Sequence, residues 1–212
     1  MAVVISVTNQ KGGVGKSTIS GNLAVELLAQ GKSVALLDAD PQHSTVDWAS
    51  LGDGVLSKIV QPVDASNPKA LRKALDEASA RCDRVVIDTP PSLTDAALAA
   101  MAASDIVLLP VQPSPLDILA GRKALQLARE ARKAKRGKLK IGLVPSKMTR
   151  TRMGADLMVA LAAMSETLLP AIGARSAVCE AVLSGLSVRE ASPKSPAAEE
   201  FAAFAVAVEG MI

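Results

Sequence analysis

The run Lys11-Gly12-Gly13-Val14-Gly15-Lys16-Ser17-Thr18 constrains this chain more than any other feature of the sequence. It follows a short apolar run at 3–7 and precedes a stretch with helical periodicity, so it is predicted to connect the first strand to the first helix. Glycines allow a backbone to wrap closely around phosphates with its N–H groups pointing inward, and the amino end of the following helix adds partial positive charge there. The sequence therefore predicts a phosphate-binding loop at 11–18.

Side chains within this loop indicate a nucleotide ligand. Lys16 is spaced to reach the β- and γ-phosphates, and the hydroxyl of Ser17 is spaced to ligate Mg²⁺. The loop departs from the general phosphate-loop pattern in one respect, because Gln10 stands where that pattern has glycine. A second lysine, Lys11, therefore opens the motif.

Apolar β-branched runs alternate with helical patterns along the chain. Strands are predicted over 3–8, 33–37, 84–88, 106–110, 140–144 and 168–172, and helices over 17–30, 68–80, 93–102, 116–135, 152–164 and 196–212. This alternation predicts an α/β fold of the phosphate-loop NTPase type, with a doubly wound, mostly parallel sheet and helices on both faces. No shift in composition marks a domain boundary, so residues 1–212 are expected to form a single domain. Ligands of such sheets bind at the carboxyl ends of the strands.

Three acidic residues are predicted at those carboxyl ends. Asp38 and Asp40 follow the apolar run 34–37, and Asp88 follows the apolar run 85–87. A carboxylate there can hold Mg²⁺ through water or orient an attacking water. A lone aspartate after a strand is equally consistent with a turn or a helix cap, and this alternative stays open for Asp38. Asp88, followed by Thr89-Pro90-Pro91, is predicted to be the Walker B aspartate.

Together the loop 11–18, the segment Asp38-Ala39-Asp40-Pro41-Gln42 and the segment Val86-Ile87-Asp88-Thr89-Pro90-Pro91 resemble the deviant Walker A ATPases of the ParA/MinD superfamily. The order and spacing of the three motifs match throughout, and the resemblance covers essentially the whole chain. The short stretch before Lys16 and the run 113–117 are similar to the small ParA-type partition proteins. The resemblance implies that an N-terminal helix-turn-helix domain, present in larger relatives, is missing here.

The resemblance also implies roles for single residues. ATP or ADP and Mg²⁺ would be the cofactors of a slow Mg²⁺-dependent ATP hydrolase. Lys16 would bind the β- and γ-phosphates, Asp40 would orient the hydrolytic water, and Lys11 would cross an ATP-bound homodimer to the partner's phosphates. The implied metal-site residues are Ser17, Asp40 and Asp88. The loop 145–148 stands at the base-binding position of such folds, which makes Pro145, Lys147 and Met148 candidate base contacts.

The net charge of +3 conceals a strongly basic region. Between 118 and 155 the chain has twelve Lys and Arg against one acid, Glu130, which leaves the rest of the chain acidic. This asymmetry favours a polyanionic partner. With no Tyr, one Trp and two Phe, the chain has few rings on which single-stranded bases could stack. Contact with the phosphates of duplex DNA, without sequence preference, is therefore the favoured interpretation.

The basic residues have a simpler alternative, a solvated helix face whose cations suit the helix dipole. The candidate DNA contacts are Arg129, Arg132, Lys133, Lys135, Arg136, Lys138, Lys140, Arg150, Arg152 and Arg175. The first seven span a helix end and the next strand, and the last three could join them. Dimerisation would double this basic surface and make DNA binding depend on ATP.

The sequence therefore predicts a cytoplasmic, nucleoid-associated ATPase that binds DNA as an ATP dimer. A ParB-like protein or a cargo adaptor would stimulate hydrolysis and reset the cycle. The cargo would be a plasmid or chromosome partition complex or a protein assembly.

Other function classes fit the sequence less well. A MinD-like membrane-cycling ATPase needs a basic amphipathic C-terminal helix, whereas 196–212 is acidic. No apolar run approaches the roughly 20 residues of a membrane span, so no membrane partner is expected. A carrier of the nitrogenase iron-protein kind needs paired bridging cysteines, and Cys82 and Cys179 lack that spacing. An ATP-dependent metabolic ligase on the same fold stays open.

Overall fold

A parallel sheet forms the centre of the molecule in the computed structural model, which describes residues 2–64, 67–91 and 95–212. In these ranges the strands are β1 (Val3–Val7), β2 (Val34–Asp38), β3 (Val60–Pro62), β4 (Arg84–Asp88), β5 (Ile106–Val111), β6 (Lys140–Pro145) and β7 (Thr167–Leu168). Their order in the sheet is β3-β2-β4-β1-β5-β6-β7, and every pairing is parallel. The predicted doubly wound parallel fold is confirmed.

Helices cover both faces of this sheet. Over the same ranges they are α1 (Lys16–Ala29), α2 (Ser44–Ser50), α3 (Leu56–Ile59), α4 (Pro68–Ser79), α5 (Asp95–Ala103), α6 (Pro115–Ala134), α7 (Arg152–Ala162), α8 (Ser176–Leu183), α9 (Val188–Ala191) and α10 (Pro196–Glu209). Several helices begin at a side-chain cap. The side chain of Asn67 accepts a hydrogen bond from the N–H of Lys69 at the start of α4, and the side chain of Ser195 accepts one from the N–H of Ala198 at the start of α10. The predicted start of one helix at Leu93 lies outside the described residues.

The strands alternate their apolar side chains between two buried layers. Ile5 and Val7 face the layer that contains α1 and α10, whereas Val4 faces the layer that contains α4 and α5. Further along the sheet, β5 and β6 pack against α6 and α7. Continuous apolar runs are required in the five central strands, β2, β4, β1, β5 and β6, because these strands are covered on both sides.

The final helix is part of the first layer. Phe201 and Phe204 of α10 are fully buried in the layer formed with α1, so this helix is docked on the core. Its apolar face is therefore already used inside the protein. Across the described ranges, no helix combines the length and the apolar character needed to cross a membrane.

The structure differs from the predicted elements mainly in short segments. The predicted strand at 168–172 is reduced to β7, Thr167–Leu168. Pro170 interrupts it because proline has no N–H to donate to the ladder, although Leu169 and Ile172 still donate to the carbonyls of Leu143 and Pro145 on β6. The elements β3, α2, α3, α8 and α9 were not predicted.

Candidate functional site

The loop between β1 and α1 has the backbone that a phosphate site requires. Gly13 and Gly15 have φ of 78° and 93°, in the left-handed region that favours glycine. Gly15 precedes the first residue of α1 without a side-chain cap, so the amino end of this helix is left for an anion. A side chain at Gly15 would also meet the hydroxyl of Ser146, because a Cβ built there lies 2.9 Å from Ser146 Oγ.

The loop that follows β6 holds the phosphate loop from outside. Ser146 Oγ donates a hydrogen bond of 2.8 Å to the carbonyl of Val14, and Lys147 Nζ donates one of 2.6 Å to the carbonyl of Gly13. Both acceptors are backbone carbonyls, so these bonds leave the N–H groups of the loop available to a ligand. The two segments are more than 130 residues apart in sequence and form one unit in the fold.

Lys16, Asp40 and Asp88 come together beneath this loop. All three side chains are buried, because β1, β4 and β2 are adjacent in the sheet and end at the same edge. Burial lowers the pKa of Lys16, while the negative charges of Asp88 and Asp40 act in the opposite direction. Lys16 Nζ donates to the carbonyl of Lys11 at 3.2 Å, so its position is already constrained without nucleotide.

Asp88 is the most perturbed acid of the site. Burial raises its pKa to about 7, and the charge of Asp38 adds to the rise. Its Oδ1 accepts a hydrogen bond of 3.1 Å from Ser20 Oγ, whereas its Oδ2 is buried with no hydrogen-bond partner among the described residues. A buried carboxylate oxygen without a partner, near Ser17 at the start of α1, is the donor chemistry that a divalent cation prefers.

The protein donors around Asp88 fit a cation that arrives with a nucleotide. Over the described ranges, no group of three or more His, Cys, Asp or Glu side chains is placed to bind a metal ion. Phosphate and water oxygens would therefore supply most of the coordination of Mg²⁺, as they usually do at triphosphate sites.

Asp38 has a structural role that the sequence left open. Its Oδ2 accepts hydrogen bonds from the backbone N–H and the hydroxyl of Thr45 and from the N–H of Val46, at 2.6–3.1 Å. Its Oδ1 accepts from the N–H of Asp40 at 3.1 Å. Asp38 thus fixes the first turn of α2 and the backbone that presents Asp40. Asp40 Oδ1 in turn accepts from the N–H of Gln42 at 2.9 Å.

Lys11 lies at the rim of the site and is paired within its own chain. Its Nζ lies 2.6 Å from Asp117 Oδ2 in the first turn of α6. The lysine side chain is 38% exposed and the aspartate side chain 2% exposed. Lys11 is therefore held against α6 rather than solvated.

A largely apolar cavity of about 740 Å³ opens beside the phosphate loop. Of the predicted base contacts, Lys147 lines this cavity together with Ser146, whereas Pro145 and Met148 do not line it. Thr18 contributes from α1. Apart from Ile19 of α1, the residues that sequence reasoning missed come from the loop after β7 and from α8: Ile172, Gly173, Ala174, Ser176, Val178, Cys179, Val182 and Leu183. The position of the predicted strand at 168–172 was the available signal, because ligands gather beyond the carboxyl ends of strands.

The ten candidate DNA contacts do not form one surface. Five of them have intramolecular partners. Arg129 and Arg132 both pair with the buried Glu166, at 2.7 and 2.8 Å. Lys135 donates to the carbonyl of Ser104 and lies 4.0 Å from Asp105.

The other two paired cations lie at different ends of the protein. Lys140 donates to the carbonyls of Met211 and Ile212. Arg175 pairs with Glu200 at 2.5 Å and lines the cavity beside the phosphate loop. Arg175 is therefore placed with the nucleotide-side residues rather than with the basic end of α6.

The remaining five candidates are exposed, and none has a side-chain ion pair within the described residues: Lys133, Arg136, Lys138, Arg150 and Arg152. Lys133, Arg136 and Lys138 surround the turn before β6, at the amino edge of the sheet. Arg150 and Arg152 follow the carboxyl end of the same strand. The two groups therefore lie at opposite ends of β6.

A basic groove adjoins the first of these groups. It encloses about 720 Å³ between α6 and α7 and is lined by Arg122, Arg129, Arg132 and Lys133, with Ala160 and Ala163 on the α7 side. Glu166 fixes the two central arginines from below while 41% and 33% of their side-chain surfaces stay exposed. The arginines are thus ordered before any anion arrives.

Sequence comparisons agree with the site geometry. The family described as CobQ/CobB/MinD/ParA nucleotide binding domain matches residues 5–188. The Maintenance of carboxysome distribution protein A (McdA) of Halothiobacillus neapolitanus is 36% identical over 191 residues, which cover 88% of this chain and 87% of that protein. The chromosome-partitioning ATPase Soj of Thermus thermophilus is 38% identical over 140 residues, which cover 51% of this chain and 54% of that protein.

Two solved structures share the fold. Apo McdA of Cyanothece superposes with a TM-score of 0.79 at 19% identity, over 99% of this chain and 100% of that one. The septum site-determining protein MinD of Pyrococcus horikoshii, complexed with Mg-ADP, superposes with a TM-score of 0.78 at 23% identity, over 100% of this chain and 97% of that one. At these identities the likeness concerns the fold alone.

Proposed function

The chain belongs to the CobQ/CobB/MinD/ParA family of nucleotide-binding domains, and from this premise we propose that it is a Mg²⁺-dependent ATPase that positions a cargo on DNA. The observation that carries this proposal is the convergence of Lys16, Asp40 and Asp88 beneath the glycine-rich loop. These are the cation, the water-orienting carboxylate and the metal-supporting carboxylate that phosphoryl transfer to water requires.

Each group acts on a different part of the triphosphate. Lys16 and the open amino end of α1 bind the β- and γ-phosphates, where a charge-assisted hydrogen bond is stronger than a neutral one. Ser17 and Asp88 would hold Mg²⁺, which would neutralise charge on the phosphate oxygens. Asp40 orients the attacking water and accepts its proton. The cavity beside the loop takes the adenine base, because it is apolar and adjoins the phosphate site.

A dimer completes the site. Lys11 lies at the rim of the loop rather than beneath it, and its side chain is partly exposed. In an ATP-bound homodimer it would reach the partner's phosphates and offset the charge that spreads over the γ-phosphate during transfer. Hydrolysis removes the anion that joins the two copies, so the nucleotide sets the quaternary state.

DNA binding is supported by the basic end of α6. Lys133, Arg136 and Lys138 are exposed and without ion pairs among the described residues, so they are available to phosphates. The groove between α6 and α7 extends this surface with ordered arginines. Each phosphate that the surface neutralises should contribute about −0.9 to the slope of log affinity against log salt. A nucleoid-associated protein in the cytoplasm follows from this binding mode.

The cargo is proposed from the relatives. McdA is named for carboxysome distribution and Soj for chromosome partitioning. We propose that this chain positions a protein assembly or a partition complex in the same way. A cargo adaptor or ParB-like protein would stimulate hydrolysis and release the ATPase from DNA.

Binding to random duplex DNA tests the proposal. In an Asp40→Ala background, which should retain ATP, we expect a dimer by light scattering and salt-sensitive binding to a random duplex with Mg²⁺ and ATP. The same protein with ADP should be monomeric and bind at least about 10-fold more weakly, because one patch replaces two. If the protein stays monomeric and does not bind DNA at low salt with saturating ATP, the proposed function is wrong.

A further inference from the structure

Lys11 has a competing partner inside its own chain. Its Nζ lies 2.6 Å from Asp117 Oδ2, and the carboxylate is 2% exposed. A charge-assisted hydrogen bond to a buried acceptor is stronger than an exposed ion pair, because less water surrounds the two groups and screens their charges. The lysine that would reach across a dimer is thus held in place before any dimer forms.

Asp117 is fixed and cannot follow the lysine. It lies in the first turn of α6, where the helix dipole favours a carboxylate, and its N–H donates to the carbonyl of Ser114 at 3.1 Å. Its other oxygen accepts a hydrogen bond of 3.3 Å from Gln112 Nε2. When Lys11 moves away, this carboxylate stays buried with one weaker, neutral partner. Leaving a buried charge without its counter-ion is costly.

From this pairing we propose that Asp117 is a positioning residue that retains Lys11 until the triphosphate of a second copy outcompetes it. The inference rests on the proposed ATP-dependent dimer. ATP brings a γ-phosphate and more negative charge than ADP, so only ATP would offset the cost of leaving Asp117 unpaired. Asp117 would therefore set how strictly dimerisation discriminates ATP from ADP.

Neutralising Asp117 should weaken this discrimination. In Asp117→Asn the side chain keeps its shape, and its one carbonyl oxygen can still accept from Lys11. Its NH2 group takes the place of the oxygen that accepts from Gln112 and can donate to Gln112 Oε1 once that amide is turned over. No buried charge is left when the lysine departs. Each dimer releases two lysines, one from each copy, so the change in the free energy of dimerisation is twice the change for one lysine. We expect the dimer dissociation constant to fall at least about 10-fold with Mg²⁺ and ATP, because a bond to a charged acceptor no longer has to be given up at either lysine.

The experiment compares variants in the Asp40→Ala background by analytical ultracentrifugation with Mg²⁺ and either ATP or ADP. Asp117→Asn should dimerise more tightly with ATP and form a measurable dimer with ADP. Glu130→Gln, on the exposed part of the same helix, removes an equal charge and should match the parent. Lys11→Ala combined with Asp117→Asn should not dimerise, which would show that the gain acts through Lys11.

The outcomes separate the inference from the proposed function. If the parent dimerises and Asp117→Asn has an unchanged or weaker dimer while binding ADP normally, the retaining role of Asp117 is wrong. If the parent stays monomeric with ATP, the proposed function fails and the inference falls with it. Asp117→Ser, which is uncharged and too short to reach Lys11, replaces Asp117→Asn if the latter does not fold, and the same result is expected.

Discussion

Burial determines the chemistry of the charged residues at the phosphate loop. Lys16 and Asp88 are nearly inaccessible to water, and burial moves the pKa of the lysine down and that of the aspartate up to about 7. Both shifts favour the neutral form of a buried group. Triphosphate brings negative charge towards Lys16 and Mg²⁺ brings positive charge towards Asp88, so binding would favour the ionised form of each side chain.

Lys16→Ala should abolish useful nucleotide binding. The substitution removes a buried cation that we assign to the β- and γ-phosphates, and lost charge-assisted bonds of about 1.5–3 kcal/mol each correspond to at least about 10-fold weaker binding. Isothermal titration with Mg²⁺ and ATP measures the change. Lys69→Ala, an exposed lysine on α4, is the matched control and should bind as the wild type does. Equal affinity of both variants would exclude Lys16 from the phosphate site.

Asp40→Ala should bind ATP but hydrolyse it about 10²–10⁴-fold more slowly, because a positioned base contributes roughly that factor. Phosphate release in single-turnover conditions measures the rate, and filter binding measures the affinity. Asp47→Ala removes an exposed carboxylate from α2 and serves as the control. Hydrolysis at the wild-type rate in Asp40→Ala would mean that another group orients the water.

At the scale of elements, Glu166 joins the end of α6 to the segment before β7. Burial acts to raise its pKa, but hydrogen bonds and charges from Arg132 and Arg129 outweigh burial and hold the pKa below its usual value. The guanidinium of Arg129 also donates a hydrogen bond of 2.5 Å to the carbonyl of Met164, just after the end of α7. The buried carboxylate of Glu166 therefore holds the two arginines that line the basic groove.

Glu166→Gln should lower the free energy of unfolding by about 1–3 kcal/mol at pH 7. This is less than the roughly 3–5 kcal/mol expected for breaking a fully buried ion pair, because both arginines are partly exposed to water. The folded-state pKa lies below the unfolded value, so this stabilisation is complete above about pH 4.5 and is lost as the pH falls through the folded-state pKa. Urea denaturation at pH 7 and pH 4 should show the gap between variant and wild type shrinking. A gap that is the same at both pH values, or that Glu130→Gln reproduces, would contradict this role.

Replacing Lys133, Arg136 and Lys138 with alanine should weaken DNA binding without changing ATP hydrolysis in the absence of DNA. The salt slope should become shallower by about 0.9 for each lost phosphate contact. Fluorescence anisotropy over a salt series provides the measurement. A triple alanine variant at the exposed Lys58, Lys69 and Lys194 removes the same charge elsewhere. If both triple variants lose affinity equally, net charge rather than the turn before β6 determines binding.

Long elements could be predicted from the sequence and short ones could not. The main strands and helices have periodic apolar patterns of their own. The elements α2, α3, α8 and α9 have four to eight residues each and depend on distant contacts. Trp48 packs against Gly21 and donates to the carbonyl of Leu186, and Glu190 accepts from the N–H of Val55. No local pattern encodes these distant contacts. Only α9 has a local signal, the capping box formed by Ser187 and Glu190.

The candidate site divides in the same way. The meeting of Lys16, Asp40 and Asp88 follows from parallel strands ending at one edge, so motif spacing was sufficient to predict it. The pairing of Lys11 with Asp117 spans 106 residues and has no sequence signature. One wall of the cavity beside the phosphate loop comes from α8, a helix that the periodicity did not reveal.

At the scale of the whole molecule, the proposed cycle depends on two copies. A dimer with two basic surfaces should bind a long duplex about 10²–10⁴-fold more tightly than a monomer, if both surfaces reach the same DNA. Titrating Asp40→Ala with ATP against a short duplex of about 10 base pairs and a long one of about 60 checks this. The long duplex should gain far more from ATP than the short one. An equal gain for both would indicate that each copy binds DNA independently.

The length of α6 separates the two anions that the protein is proposed to bind. Its 20 residues extend about 30 Å, with Asp117 near one end and Arg129, Arg132 and Lys133 near the other. Physiological salt screens charges over about 8 Å. A nucleic acid bound at the turn before β6, around Lys133, and a triphosphate at the near end would thus repel each other only weakly. If the proposed function holds, the molecule would carry both polyanions at once, and any communication between them would be mechanical rather than electrostatic.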